Sequence, residues 1–309
     1  MSRRGGLNLL LLLLALALGA VAYFQPGKRQ DEEGGQPPLT ALRAGALSHL
    51  VVRKDGQVRV ELRRREGRWR LLRPVAADAD PFRAEQLARL AEAPSLARFP
   101  VAGRDLAPYG LDRPALEVEL DGVRLAFGGT APVGGRRYLR LGEVVHLVDD
   151  VYYYDASAEP LAFVDKALLP EGARLEALEL PGLSLRRTAE GGWRLEPRRE
   201  GVSSDRLEEL VQAWREARAW SVRRPEGRRP AEPPVVRLRL AGGGTLRYLV
   251  LAREPDLVLI RPDLDLAYHL DASQAERLLE LAPEKPEEGG GTEGDGAGEP
   301  ARSADAGGG

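Results

Sequence analysis

The chain has 309 residues, enough for two domains of roughly 100–150 residues each. Its 45 basic and 47 acidic side chains leave a formal net charge of −2, which argues against nucleic acid as the main partner. It has no cysteine, which excludes disulfides, zinc–thiolate sites, iron–sulfur clusters, thiol nucleophiles and a lipid-modified N-terminal cysteine.

Arg3 and Arg4 precede an apolar run from Leu7 to Phe24 in which Asn8 is the one polar residue. At 1.5 Å per residue, about 18 residues span roughly 27 Å, enough for a bilayer core. The positive-inside bias keeps residues 1–6 cytoplasmic and places everything after Phe24 outside, here the periplasm. A cleaved signal peptide ending near Ala20-Val21-Ala22 is the rival reading; the run exceeds the usual apolar core of such peptides, so the uncleaved inner-membrane anchor over 7–24 is preferred. Residues 25–40 are polar and rich in Gly, Pro and acids, and read as a linker.

Residues 41–170 form a first repeat. Leu50-Val51-Val52 and Val58, Val60 and Leu62 flank Asp55-Gly56, a hairpin signal. Trp69 and Leu71 lie on the next strand. Pro81 opens a helix with Phe82, Leu87, Leu90 and Ala91 on one face, and Pro94 ends or kinks it. Leu116, Val118 and Leu120 then alternate with Glu117 and Glu119, Asp121-Gly122 turns the chain, and Val123, Leu125 and Phe127 alternate with Arg124 and Ala126. A two-residue turn pairs 120 with 123, 118 with 125 and 116 with 127, so all six apolar side chains share one face.

Residues 171–283 form a second repeat. Ser203 or Ser204 caps a helix with Leu207, Leu210, Val211, Trp214 and Ala217 on one stripe. Val236, Leu238 and Leu240 lead through Gly242-Gly243-Gly244 into Leu246, Tyr248 and Val250, and a helix from Ser273 to Leu281 closes the unit. Residues 284–309 carry little to bury and read as a disordered tail. The repeats announce themselves: Gly67-Arg68-Trp69-Arg70-Leu71 returns as Gly191-Gly192-Trp193-Arg194-Leu195. Trp69 and Trp193, Leu87 and Leu210, and His146 and His269 are each about 123–124 positions apart. The expected fold is therefore α+β: an N-terminal transmembrane helix, then two duplicated antiparallel-sheet-plus-helix repeats, each sheet covered on one face.

Trp69-x-Leu71-x-x-Pro74, then Asp105-Leu106-x-x-Tyr109-Gly110-Leu111-Asp112-x-Pro114, then Phe127-Gly128-Gly129 and the Tyr138 strand, resemble the bacterial domain-of-unknown-function family 4340. The second repeat lacks the Tyr-Gly-Leu element and has Arg228-Arg229-Pro230 through Pro234 in its place. The resemblance implies an exported protein anchored by one N-terminal helix, encoded beside ABC-transporter subunits and gliding-motility-type auxiliary components. It implies no catalytic residue. In physical terms Gly110 supplies a positive φ, Pro114 holds Arg113 extended, and Tyr109 buries its ring with its hydroxyl at the edge.

No catalytic signature competes. His49, His146 and His269 are scattered, and His146 and His269 read as duplicated strand residues rather than metal ligands or bases. Asp149, Asp150 and Asp155, or Asp263 and Asp265, are the acids a calcium site would use, but neither set fits an EF-hand loop. Gly242-Gly243-Gly244-Thr245 and Gly128-Gly129-Thr130 lack the lysine of a phosphate loop. Arg63-Arg64-Arg65, Arg136-Arg137, Arg198-Arg199 and Arg223-Arg224 read as solvated edges, with anionic headgroups or glycans as the sharper alternative. Tyr152-Tyr153-Tyr154, read as a strand, points to both faces and exposes at least one ring. The expectation is a non-enzymatic, membrane-anchored accessory or scaffold protein of an envelope ABC-type transport complex, with no cofactor, metal, nucleic acid or small-molecule substrate. The alternative is an envelope glycan- or polymer-binding module with weak hydrolase activity.

Overall fold

The computed structural model describes residues 36–281 except 133, 228 and 229. The expected membrane helix over 7–24, the linker up to residue 35, and the tail over 284–309 lie outside the described residues, as do Arg228 and Arg229. The chain divides into two compact units between Asp165 and Lys166.

The first unit runs β1 (His49–Lys54), β2 (Gln57–Arg65), β3 (Arg68–Arg73), β4 (Ala77–Asp78), α1 (Pro81–Ala88), β5 (Ala97–Pro100), β6 (Leu116–Leu120), β7 (Val123–Thr130), β8 (Arg136–Leu141), β9 (Val144–Asp149) and α2 (Val151–Ala156). Its strands form one antiparallel sheet in the order β4-β3-β2-β1-β6-β7-β8-β9-β5. The turns are made where the sequence placed them. Asp55 and Gly56 take φ of 51° and 74°, and Asp121 and Gly122 take 45° and 88°, as a two-residue hairpin loop requires. Leu116 faces Phe127, Val118 faces Leu125 and Leu120 faces Val123. Leu50, Leu62, Leu71, Val118 and Leu125 are buried on that face.

The second unit runs β10 (Leu175–Leu180), β11 (Leu183–Arg187), β12 (Trp193–Glu196), α3 (Ser204–Glu216), β13 (Ser221–Arg223), β14 (Val235–Leu240), β15 (Thr245–Ala252), β16 (Asp256–Arg261), β17 (Leu266–Asp271) and α4 (Ser273–Leu279). Its order is β12-β11-β10-β14-β15-β16-β17-β13, the order of the first unit without β4. Ser203 caps α3, its hydroxyl accepting from the Arg206 amide at 3.4 Å. Trp214 on α3 is fully buried against Tyr248, and its indole N–H donates to the Leu278 carbonyl at 2.8 Å.

The fold expectation is corrected in kind. The described chain is predominantly antiparallel sheet, with 17 strands against four α-helices, and among the described residues no helix is long and apolar enough to cross a membrane. The physical reason lies in helix length. The Phe82–Ala91 stripe is broken into α1 and a 3₁₀ turn over Arg89–Glu92, and the Tyr152–Tyr154 stretch, read as a strand, is the short helix α2. Helices this short exist only where a sheet face folds over them. Strands missed in the sequence include the short β4 and also β5 and β13, which follow the helices and close the far edge of each sheet.

One proposed equivalence also fails. His146 pairs with Leu139, which pairs with Phe127, so His146 lies on the core face. His269 pairs with Val258, while its neighbour Tyr268 pairs with Leu259 on the core face. Tyr268, not His269, occupies the place of His146. A one-residue offset in a period-two strand turns a side chain to the other face.

Candidate functional site

The Tyr-Gly-Leu element and the Phe-Gly-Gly element, distant in sequence, meet in the first unit. Asp105 accepts from the Ala107 amide at 3.0 Å and starts a 3₁₀ turn over Ala107–Tyr109. Gly110 ends it at φ 64°, and the Leu111 amide reaches back to the Leu106 carbonyl at 3.1 Å. Leu111 is thereby driven into the core. The loop lies so close to β7 that a Cβ on Gly110 would stand 2.9 Å from the Gly129 nitrogen. A Cβ on Gly128 would stand 2.3 Å from the Tyr109 carbonyl oxygen. Tyr109 is half-buried between Phe99 and Tyr138, with ring centroids 5.1 and 4.9 Å away.

Arg137 holds the other side of this stretch of β7, where the pairing with β8 shifts register between Phe127 and Thr130. Its guanidinium donates to the Gly128 carbonyl at 2.8 Å and to Thr130 Oγ1 at 3.1 Å, bonds Asp150 through Nε, and stacks 3.7 Å from the Tyr153 ring centroid. Arg137 and Asp150 side chains are only 13% and 15% exposed, so the ion pair is largely desolvated. Tyr153 in turn meets Phe127 edge-on at 5.8 Å. In the sequence Arg137 reads as part of a solvated edge cluster, which its burial corrects; the signal available was its position two residues from Leu139, on the core-facing side.

A second assembly occurs once in each unit. The Trp69 indole N–H donates to Glu85 on α1 at 3.0 Å; the Trp193 indole N–H donates to Glu208 on α3 at 2.8 Å. Arg64 stacks over Trp69 at 4.5 Å and pairs with Glu85, while Arg215 pairs with Glu208 at 2.9 Å. Trp69 is 4% exposed, but its counterpart Trp193 is half-buried. Glu85 and Glu208 are separated by the same interval as Leu87 and Leu210, which could have singled them out.

The histidines stand apart. His49 Nε2 is 3.2 Å from Glu61, and His269 Nδ1 is 3.7 Å from Asp256. His146 is buried with Nδ1 2.8 Å from Ser95 Oγ; burial, helped by Arg98, pushes its pKa below the usual 6.5. Four of the five acids weighed for calcium meet arginines, and Asp149 is exposed at the end of β9. Asp150 pairs with Arg137, Asp155 lies 4.0 Å from Arg83, Asp263 is held by Arg261 at 2.6 Å, and Asp265 is 3.7 Å from Arg224. Arg261 holds the Asp263 carboxyl below the usual carboxylate range. Among the described residues no group of three or more His, Asp or Glu converges to hold a metal ion. Gly242 and Gly243 serve a hairpin turn, at φ of 91° and 93°. The arginine clusters are largely spread along strands and turns; Arg224, for one, donates to the Leu264 and Asp265 carbonyls.

A separate concavity lies in the second unit, a groove of about 770 Å³ between α3 and α4. It is nowhere near the Tyr-Gly-Leu element in the chain and involves only second-unit residues. Leu210, Ala213 and Leu281 contribute apolar lining, and six acidic residues, two arginines and Gln212 complete it.

The profile of the family described as "Domain of unknown function (DUF4340)" matches residues 44–238, more than half of the chain. The chain belongs to that family. The DUF4340 match takes in every strand of the first unit and reaches β14 of the second, so it includes both copies of the Trp–Glu contact. No curated protein and no solved structure matches the chain.

Proposed function

We propose that this DUF4340 protein is a non-enzymatic accessory subunit of an ABC-type transport complex in a bacterial envelope. In this reading residues 7–24 hold it at the inner membrane with both units outside the cytoplasm. The observation that supports partner binding is the groove between α3 and α4. Three of its acids are matched by arginines: Glu209 by Arg206 at 2.6 Å, Glu208 by Arg215 at 2.9 Å and Glu280 by Arg253 at 2.7 Å. Asp205, Glu216 and Glu276 add negative charge along an apolar floor. That chemistry suits an amphipathic helix with basic flanks, laid into the groove by its apolar face. A photo-crosslinker at Gln212, in cells, should form an adduct with a transport-complex subunit. The double variant Asp205→Arg with Glu276→Arg should cut that adduct at least tenfold at unchanged thermal stability. Adducts indifferent to the charge reversal would remove the groove from the function.

Trp220 favours a second reading. It is 51% exposed, with His269 5.8 Å and Arg223 5.3 Å from its ring. An exposed indole beside polar groups is also a platform for a sugar ring, as a glycan-binding module requires. Titration with soluble peptidoglycan fragments should then quench tryptophan fluorescence in the parent chain and not in Trp220→Ala.

A further inference from the structure

The helix layer of the first unit carries three large apolar side chains in water: Phe82 on α1 at 67% exposure, and Val151 at 55% and Tyr154 at 67% on α2. The two helices lie side by side, with Arg83 of α1 4.0 Å from Asp155 of α2. Phe82 follows Pro81 at the start of α1, where a polar residue would serve the helix as well. The sheet core does not use these three residues, and three such side chains exposed on one adjacent helix pair are more than single scattered apolar residues account for.

The chain enters the unit on this same layer. Pro37 accepts from the Ser95 amide at 3.0 Å, Leu39 donates to Ala93 at 2.8 Å, and Thr40 donates to Ala91 at 3.1 Å. Ala91 belongs to the 3₁₀ turn that continues α1. The stretch from Phe24 to Gln36 is about 12 residues, so it reaches no further than about 40 Å even fully extended. A unit fastened to the bilayer through this point keeps its helix layer within that distance of lipid.

We infer that Phe82, Val151 and Tyr154 rest in the interfacial region of the bilayer, so that the first unit lies on the membrane by its helix layer. This rests on the anchor proposed above. Aromatic side chains with an apolar body and a polar tip favour that depth. The contact is led by apolar side chains: Arg83 is matched by Asp155 and Arg43 by Glu92 at 3.6 Å, while Arg89 stands exposed beside Tyr152. Anionic lipid adds at most the attraction of Arg89, and the three apolar side chains seat the layer without it.

The absence of cysteine makes the test direct. The full chain is prepared as Phe82→Cys, Tyr154→Cys and, as a control, Arg124→Cys, whose side chain is 61% exposed on the charged face of the β6–β7 hairpin. Each is spin-labelled and reconstituted in phosphatidylcholine nanodiscs with no other protein. Collision rates with oxygen and with a water-soluble nickel chelate are then compared. The oxygen-to-nickel ratio at 82 and 154 should exceed that at 124 by at least threefold, with and without 20% phosphatidylglycerol. Equal ratios at all three sites in nanodisc-bound chain would overturn the membrane contact and leave the anchor standing; that is also the result if the patch serves a protein partner. Chain that elutes apart from the nanodiscs would overturn the anchor and this inference with it.

Discussion

Gly128 and Gly129 are neighbours in β7, yet a methyl group should be ruinous on one and harmless on the other. On Gly128 the added carbon would stand 2.3 Å from the Tyr109 carbonyl oxygen and 2.8 Å from Leu111 Cγ. The first of these is backbone, which cannot swing aside, so the loop over residues 105–114 must lift. Overpacking alone costs about 1–3 kcal/mol. Lifting also exposes Leu111, worth about 1.5–3 kcal/mol, and loosens Tyr109 from Phe99 and Tyr138, at about 0.5–1.5 kcal/mol for each ring pair. Because the loop need lift only part of the way, Gly128→Ala should fall near the low end of that sum and destabilise the first unit by about 4–5 kcal/mol. On Gly129 the nearest atom would be 3.6 Å away, an ordinary contact, so Gly129→Ala should stay within about 1 kcal/mol of the parent. Hydrogen exchange read by mass spectrometry is the assay, because it scores each unit separately. Protection should fall across residues 105–130 in Gly128→Ala and remain unchanged in β14 and β15. Equal protection in the two variants would show that the close approach of loop and strand does not exist.

Trp69→Ala should cost about 3–5 kcal/mol, because its ring is 4% exposed, and Trp193→Ala about half as much, by urea unfolding of each variant. Arg137→Lys should not rescue Arg137→Ala in thermal melts: a single ammonium cannot serve the Gly128 carbonyl, Thr130 and Asp150 while stacking on Tyr153. For His146 the folded pKa lies below the unfolded one, so the unfolded chain takes up the proton first. Its contribution is then intact above about pH 6.5 and is lost as pH falls through the lowered folded value. Melting of the first unit from pH 8 to 5 should decline less steeply in His146→Asn than in the parent.

Hairpins were legible in the sequence because two-residue turns and period-two alternation act locally. Asp121-Gly122 fixes a register that six apolar residues confirm, and no distant part of the chain can change it. The fold class was misread because helix content depends on what a sheet leaves uncovered. Tyr152-Tyr153-Tyr154 carries strand-forming residues, yet it lies helical where Tyr153 reaches Phe127 and Arg137. The edge strand Ala97–Pro100 shows no alternation and exists because β9 offers it a partner. The family element was visible as a motif, but its reason was not. Only the fold brings Gly110 against Gly129 and Tyr109 against Gly128. The match of His146 to His269 failed on a single residue of offset, which a repeat interval of about 123 positions is too coarse to detect.

The strand order also sets how each unit can assemble. Eleven of the 15 pairings join strands consecutive in the chain, so the hairpins β1–β2, β6–β7, β8–β9 and β14–β15 can form on their own within microseconds. The slow step is the seam. Leu50 must find Leu120, and Leu178 must find Leu238, across intervals of about 60–70 residues. Until the seam closes, each sheet is two half-sheets with bare inner edges, β1 facing β6 and β10 facing β14. Both seams carry opposite charges across them, Arg53 with Glu119 at 2.8 Å and Arg237 with Glu179 at 3.6 Å. Such pairs favour the correct half-sheets over like-charged pairings. Kinetic measurements should therefore find the transition state at the seams, with substitutions in β1, β6, β10 and β14 slowing folding more than equal destabilisations in β3 or β12.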